Sequence, residues 1–253
     1  TAQIDRCVHA LWVVSEFIHA PAREKLMAQT PDPLGERLSE QLRATHQTTW
    51  DAAVEHRFVR ELVDDTIDDT VYARYLTLDY GFINDLTGAV GHAVAVAPGM
   101  PEKTRFAQFL GVLTDEENDY FLRSFAAFGQ PAPTFDNPLK HPVLDDFAAL
   151  MARQRTAGTY LDILAVLVPV EWVYLSWASN AVARGDAMPE RFYLSEWITL
   201  HALPEFRDFV EWMRAEFDRE AAAADAASRQ RAEAAFVDAL MLEARFFEAA
   251  YEA

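Results

Sequence analysis

Helical periodicity runs through almost all of this 253-residue sequence. No segment alternates polar and apolar residues with the period of two that is typical of a half-exposed strand. The chain contains only 9 glycines and 12 prolines, which argues against a β architecture with many turns. Hydrophobic residues make up 51% of the chain and can form a sizeable core. The sequence therefore predicts an all-α protein in which residues 1–253 form one domain.

Charge and cysteine content exclude several classes of protein. The formal net charge of −18 argues against nucleic acid or an anionic membrane as a partner. No run of eighteen uninterrupted apolar residues is present, so we expect no membrane span. The single cysteine, Cys7, excludes a disulfide framework and a cysteine-rich zinc site. We expect a soluble, cytoplasmic protein.

Cap and stop signals divide the periodic sequence into helices. Long helices are predicted for residues 70–97, for residues 160–183 around Pro169, and for residues 229–251. Further helices are predicted at residues 4–29, 34–60 with a break near 45–48, 117–128, 141–157, 193–200 and 205–227. Thr114 and Glu117 match a capping box at the start of the helix that ends near residue 128.

Three acidic residues occupy apolar helical segments, and they carry most of what the sequence says about function. Residues three and four positions apart share a helix face. On that spacing the neighbours of Asp79, Glu171 and Glu243 are mostly apolar, and they include Leu76, Phe82, Ile83, Leu167, Val168, Leu175, Leu240, Phe246 and Phe247. A desolvated carboxylate costs several kcal/mol unless it is paired, hydrogen-bonded or protonated. One such residue alone is as consistent with a buried ion pair as with a site, whereas three on separate helices favour one polar pocket.

Aromatic residues are concentrated in the same segments. They are Tyr80, Phe82, Phe147, Trp172, Tyr174, Phe246 and Phe247. A stripe of rings at helical spacing commonly forms only a core. Mixed with carboxylates it suits a flat heteroaromatic ligand, because rings stack and carboxylates accept hydrogen bonds from amines. His201, in an apolar segment, is either a hydrogen-bonded core histidine or a pocket residue.

Other chemistries lack support in the sequence. A di-iron site of the usual bundle type needs a Glu-x-x-His pair on each of two helices, and the sequence contains a single one at Glu16 and His19, so such a site is not indicated. Neither a Gly-x-Ser-x-Gly elbow nor a glycine-rich phosphate or dinucleotide fingerprint occurs. We therefore expect no cofactor and no metal.

Several short motifs resemble, in their order and spacing, the TenA family (thiaminase II and its relatives). They are Trp50, residues 56–59, 75–80 and 164–174, Trp197-Ile198, and Glu243 with Phe246-Phe247. The resemblance covers residues 45–251 and implies a heme-oxygenase-like helical bundle that assembles as a homodimer or homotetramer. Residues 1–44 lie outside it and are expected to add an N-terminal helical segment.

The resemblance also implies roles for single residues. Asp79 matches the aspartate that holds an aminopyrimidine ring, Glu243 matches the glutamate at the reaction centre, and Tyr174 matches a pocket tyrosine. Val170 stands where thiaminase II has its nucleophilic cysteine, so the covalent cysteine route is excluded. Residues 170–177 are similar to a glutamate-containing branch that is linked to hydrolysis of amino- or formylamino-methylpyrimidines in thiamin salvage.

The resulting hypothesis is a hydrolase of a C–N bond in a small aminopyrimidine-type compound, with Glu171 and Glu243 as catalytic acid and base. The expected ligand-binding residues are Asp79, Tyr80, Phe82, Phe147, Trp172, Tyr174 and His201. Phe82, Phe147 and His201 stand where thiaminase II has pocket tyrosines, which changes the pocket polarity. The alternatives are a non-catalytic ligand-binding relative, a cofactor-free oxidase like the pyrroloquinoline quinone synthesis enzyme, and a metal-dependent oxygenase on the same fold.

Overall fold

All regular structure in the described part of the chain is helical, as predicted. The computed structural model describes residues 37–132 and 140–252, so the predicted helix at residues 4–29 and Cys7 lie outside the described residues. The helices are α1 (Leu38–Thr45), α2 (Gln47–Val54), α3 (Arg57–Val63), α4 (Asp69–Val96), α5 (Met100–Thr114), α6 (Glu116–Ala127), α7 (Pro142–Ala157), α8 (Tyr160–Ala183), α9 (Phe192–Ala202), α10 (Pro204–Ala223) and α11 (Ala226–Ala249).

Helix α8 forms the centre of the bundle and has the bounds that the sequence predicted. It packs against α2, α4, α7, α9, α10 and α11. A helix that is apolar on all sides needs this kind of enclosure. Tyr160–Ala183 is long and apolar enough to cross a membrane, but 94% of its most apolar window is buried inside the protein. The helix is therefore the core of a bundle, and Glu171 lies inside that core.

Helix α4 confirms the predicted cap and stop signals. Its N-cap is Asp68, whose carboxylate accepts a hydrogen bond from the backbone N–H of Thr70 at 2.8 Å. It ends at Val96, two residues before Pro98. The helix packs against α5, α6, α7 and α8 and thereby carries Asp79 into the interior.

Two local predictions were wrong. Residues 34–60 were expected to contain one break, but α1, α2 and α3 are separated at His46 and again at residues 55–56. The second break arises because His56 has extended backbone and caps α3, accepting a hydrogen bond from the Phe58 N–H at 3.1 Å.

The predicted capping box at the start of α6 is also absent. Thr114 is the last residue of α5, a helix that was not predicted from the sequence. Its hydroxyl donates to the Leu110 carbonyl at 2.9 Å. Threonine hydroxyls in a last turn commonly bond the carbonyl four residues back. Asp115 is the N-cap of α6 and makes no side-chain capping bond. Glu117 therefore has no capping role.

Candidate active site

Three long helices each place one carboxylate in the protein interior. Asp79 on α4 is 2% exposed, Glu171 on α8 is 5% exposed and Glu243 on α11 is 2% exposed. Helix α8 packs directly against both α4 and α11. The sequence pattern therefore identified three buried acids on neighbouring helices.

These carboxylates influence one another electrostatically. Burial, and next the charge of Asp79, raise the pKa of Glu171 to about 8. Burial raises the pKa of Asp79 to about 7, against a lowering effect of the Tyr75 hydroxyl. Burial raises the pKa of Glu243 well above its usual value, and Asp79 and Glu171 add to the effect. The three acids thus form one cluster by their mutual electrostatic influence, and their simultaneous ionisation is disfavoured near neutral pH.

No cation neutralises this cluster from within the described residues. The three carboxylates form no ion pair with a lysine or arginine in residues 37–132 and 140–252. The buried ion pair, which was the alternative for each acid alone, is therefore excluded for the described residues. In the same ranges, no three His, Cys, Asp or Glu side chains are grouped as ligands of one metal ion.

Within this cluster, two buried carboxylate oxygens lack hydrogen-bond partners in the described part of the protein. They are Oδ2 of Asp79 and Oε1 of Glu171. Leaving a buried polar atom unpaired costs about 1–3 kcal/mol, more for a charged group. A ligand that donates hydrogen bonds to these two oxygens would remove this cost, which is one explanation for their being unpaired.

A hydrogen-bonded pair of tyrosines lies next to the cluster. The hydroxyl oxygens of Tyr75 and Tyr174 are 2.9 Å apart, and the Trp197 indole N–H donates to Tyr75 at 3.0 Å. Tyr174 was predicted as a site residue, but Tyr75 was not. Its signal in the sequence was its position four residues before Asp79, on the same face of α4.

The structure also groups two of the predicted aromatic residues around Phe246. The ring of Phe82 is 4.9 Å from that of Phe147, and both lie within 6.0 Å of Phe246 by ring centroids. Phe246 in turn meets the Tyr75 ring edge-on at 6.0 Å. This aromatic group therefore adjoins the tyrosine pair and contains Phe82 and Phe147, two of the predicted ligand-binding residues.

Trp172 has its contacts elsewhere. Its ring centroid is 4.6 Å from that of Trp50, and the Arg214 guanidinium lies 3.5 Å from the ring centroid. Consecutive residues on a helix point about 100° apart, so Trp172 faces α2 and α10 while Glu171 faces the cluster. The expectation that Trp172 encloses a ligand ring is not supported by these contacts.

The side chain of Tyr80 likewise points about 100° away from that of Asp79, because the two residues are consecutive on a helix. Its hydroxyl donates to Asn118 Oδ1 at 3.0 Å, and its ring lies 5.3 Å from that of Phe121. These contacts attach α4 to α6. We therefore leave Tyr80, like Trp172, out of the proposed ligand-contacting set.

His201 is a hydrogen-bonded core histidine, the first of the two roles that the sequence left open. Its Nδ1 lies 2.9 Å from the Trp197 carbonyl oxygen, which it reaches as a donor. Burial lowers the pKa of His201 to about 4, so the ring is neutral at physiological pH. Its ring centroid is 4.9 Å from that of Tyr174. His201 is thus a hydrogen-bonded core residue that also adjoins a predicted site residue.

Sequence reasoning missed a fourth acid, Glu117. Burial raises its pKa well above the usual value, and the charges of Asp79 and Glu171 contribute. Glu117 lies three and four residues before Tyr120 and Phe121, both fully buried. Asp79 likewise precedes buried residues by three and four positions. For Glu117 this spacing was overlooked because the residue also fits a capping box.

A sequence model of the TENA/THI-4/PQQC family matches residues 43–253. The chain belongs to this family. The match begins two residues before the segment that the motifs had indicated. An aminopyrimidine aminohydrolase from Halalkalibacterium halodurans is 22% identical over 205 residues, which cover 81% of this chain and 91% of that protein.

Solved structures of TenA proteins share the fold of this family member. A TenA homologue from Pyrococcus furiosus aligns with a TM-score of 0.73 at 19% identity, over 84% of this chain and 99% of that one. A protein of Silicibacter sp. TM1040, described as a TenA family transcription regulator, aligns with a TM-score of 0.75 at 19% identity, over 88% of this chain and 100% of that one. These likenesses confirm the heme-oxygenase-like helical bundle.

Proposed function

We propose that this TenA family member hydrolyses a C–N bond of an aminopyrimidine-type small molecule in thiamin salvage, as a cytoplasmic homodimer or homotetramer. The observation that carries the proposal is Glu171. It is a buried carboxylate with an unpartnered oxygen, and it shares a cluster with Asp79 and Glu243. The name of the Halalkalibacterium halodurans relative supports the substrate class.

Ligand binding in this proposal uses Asp79 and the neighbouring rings. The unpartnered oxygen of Asp79 would accept a hydrogen bond from an exocyclic amine, or donate to a ring nitrogen when the carboxyl is protonated. Its pKa of about 7 makes both forms accessible near neutral pH. Phe82 and Phe147 would contact the ring face, while the Tyr174 hydroxyl and neutral His201 would line the opposite side.

The chemical step in this proposal is displacement by water. The water oxygen forms a bond to the methylene carbon as Glu171 accepts a proton from the water. The C–N bond breaks, its electron pair goes to nitrogen, and the nitrogen leaves as ammonia with a proton supplied by the Glu171–Glu243 pair. With Val170 where thiaminase II carries cysteine, water rather than a thiolate is the nucleophile.

The raised pKa values of Glu171 and Glu243 suit general acid and base catalysis. General acids and bases are most effective when their pKa lies near the working pH, and burial brings Glu171 to about 8. Glu243 and Glu171 would titrate as a coupled pair that holds one proton between them. One carboxyl can then donate while the other accepts.

The test is a hydrolysis assay on the purified protein with an aminomethylpyrimidine, scored by release of ammonia. A parallel assay uses its N-formyl derivative, from which water attack on the formyl carbon instead of the methylene carbon would release formate. Glu171→Gln should lower kcat by about a thousandfold or more while ligand affinity stays within about threefold. Glu233→Gln on the surface of α11 is the matched control and should retain full activity. Binding without turnover in the unmodified protein would favour the non-catalytic alternative, and unchanged turnover in Glu171→Gln would remove Glu171 from the mechanism.

A further inference from the structure

Glu117 is a half-buried residue in the first turn of α6, the helix that packs against α4 and its Asp79. Tyr120 and Phe121 follow it on the same face, and neither has any exposed surface. The residue after Glu117, Asn118, accepts a hydrogen bond from the Tyr80 hydroxyl at 3.0 Å. This bond fixes the first turn of α6 against α4, one residue from Asp79.

With Glu117 the site contains four acidic side chains, and no lysine or arginine of residues 37–132 and 140–252 forms an ion pair with any of them. Glu117 forms no hydrogen bond or ion pair with any residue of the described ranges. Asp79 and Glu171 are at least 95% buried, and each has one carboxylate oxygen without a partner in those same ranges. An occupant that carries a positive charge would relieve the mutual repulsion of these groups and supply the absent hydrogen bonds.

We propose that Glu117 is a specificity-determining residue that binds the protonated amino group of the substrate, so that the site selects a free aminomethyl compound over an uncharged analogue. This inference rests on the proposed function and extends it to the charge of the substrate. An ammonium group offers three N–H donors and favours the ionised form of a nearby carboxylate. Whether its proton arrives with the substrate or from the Glu171–Glu243 pair, the protonated nitrogen is the species that Glu117 stabilises.

Discrimination follows from the cost of leaving charge uncompensated. A neutral hydroxymethyl or formylamino group in place of the ammonium leaves the acidic side chains without a counter-charge. The site would then bind the neutral ligand weakly, mainly because the acidic side chains stay unpaired, rather than because of the ligand's shape. Removing the charge of Glu117 should therefore weaken binding of the amine and leave the neutral ligand largely unaffected.

The experiment measures equilibrium binding by calorimetry for an aminomethylpyrimidine and the matching hydroxymethylpyrimidine. Glu117→Gln should raise Kd for the amine by about tenfold or more and change Kd for the alcohol by less than about threefold. Asp119→Asn removes one charge from the exposed side of the same turn and should alter neither Kd. Equal losses for both ligands in Glu117→Gln, or no loss for either, would overturn the assignment.

Two further measurements keep the result interpretable. Thermal melting checks that Glu117→Gln is folded, and Glu117→Asp, which retains the charge, should recover part of the preference for the amine even if the glutamine variant is unstable. Binding does not require turnover, so a protein that prefers the amine but releases no ammonia would contradict the proposed hydrolysis and leave the role of Glu117 standing. An unmodified protein that binds neither compound would overturn both.

Discussion

The hydroxyl oxygens of Tyr75 and Tyr174 lie 2.9 Å apart and join α4 to α8 beside the acidic cluster. The Trp197 indole has a single N–H and donates it to Tyr75. The hydrogen of Tyr75 is thus available for Tyr174 or Asp79, and the hydroxyl of Tyr75 does lower the pKa of Asp79. This tyrosine pair couples the packing of two helices to the protonation of a site carboxylate.

Replacing Tyr75 by phenylalanine should therefore affect both stability and titration. Tyr75→Phe leaves the buried Trp197 N–H without its acceptor, and we expect a loss of about 1–3 kcal/mol in the free energy of unfolding, measured by denaturant titration. The pKa of Asp79 should rise further, and the pH dependence of ligand affinity should move to higher pH. Tyr80→Phe, which removes a half-buried hydroxyl, should cost less and leave that pH dependence in place. Equal behaviour of the two variants would contradict the coupling.

The buried Glu171 makes stability depend on pH in a defined direction. Its pKa is about 8 in the folded protein and near 4.5 when the chain is unfolded. Between those values the folded state holds a proton that the unfolded state has lost, so this group's contribution to stability falls as the pH rises. Above pH 8 the folded protein bears the full cost of a buried charge.

Glu171→Gln removes that cost and should stabilise the protein under alkaline conditions. The Tm difference between this variant and the unmodified protein should be small near pH 5 and should grow towards pH 9, with about 2–4 °C for each kcal/mol of stabilisation. Scanning calorimetry across this range provides the measurement. A variant that is destabilised equally at all pH values would show that Glu171 is paired in the folded state.

The charge of Asp79 should be visible in the pH profile of catalysis. Asp79 raises the pKa of Glu171, so Asp79→Asn should lower that pKa and move the acid limb of the kcat profile, where the base Glu171 becomes ionised, to lower pH. KM should rise as well, because the ring loses its carboxylate partner. Asp238→Asn, at an exposed position on α11, serves as the control for a general change in net charge. An acid limb that stays in place would show that Asp79 does not influence the titration of Glu171.

Arg214 and Trp172 should prove structural rather than catalytic. Arg214 is 4% exposed, lies over the Trp172 ring and bonds both Glu40 and Glu211. Arg214→Met removes a buried charge from two carboxylate partners and should cost about 1–3 kcal/mol of stability, since both partners are partly solvated. Ligand affinity and kcat of the folded fraction should remain unchanged. A selective loss of ligand affinity in Arg214→Met or Trp172→Phe would show that Arg214 and Trp172 belong to the binding site.

The sequence alone determined the helical class, the bounds of α8 and the identity of three buried acids. Each of these follows from a local rule. A period of 3.6 residues defines a helix, and an acid three or four residues from apolar neighbours on both sides lies on the buried face. Because burial of a face depends mainly on that periodicity, Asp79, Glu171 and Glu243 could be identified without knowledge of how the helices pack.

Tertiary structure decided which groups share a site. Glu117 matched a capping box, and only the packing of α6 on α4 brings its turn against the helix that carries Asp79. Trp172 and Tyr80 adjoin predicted site residues along the chain but point about 100° away from them, towards other helices. Proximity across a bundle depends on the rotation and pairing of whole helices. Those are set by the summed contacts of many side chains, so no local pattern in the sequence encodes them.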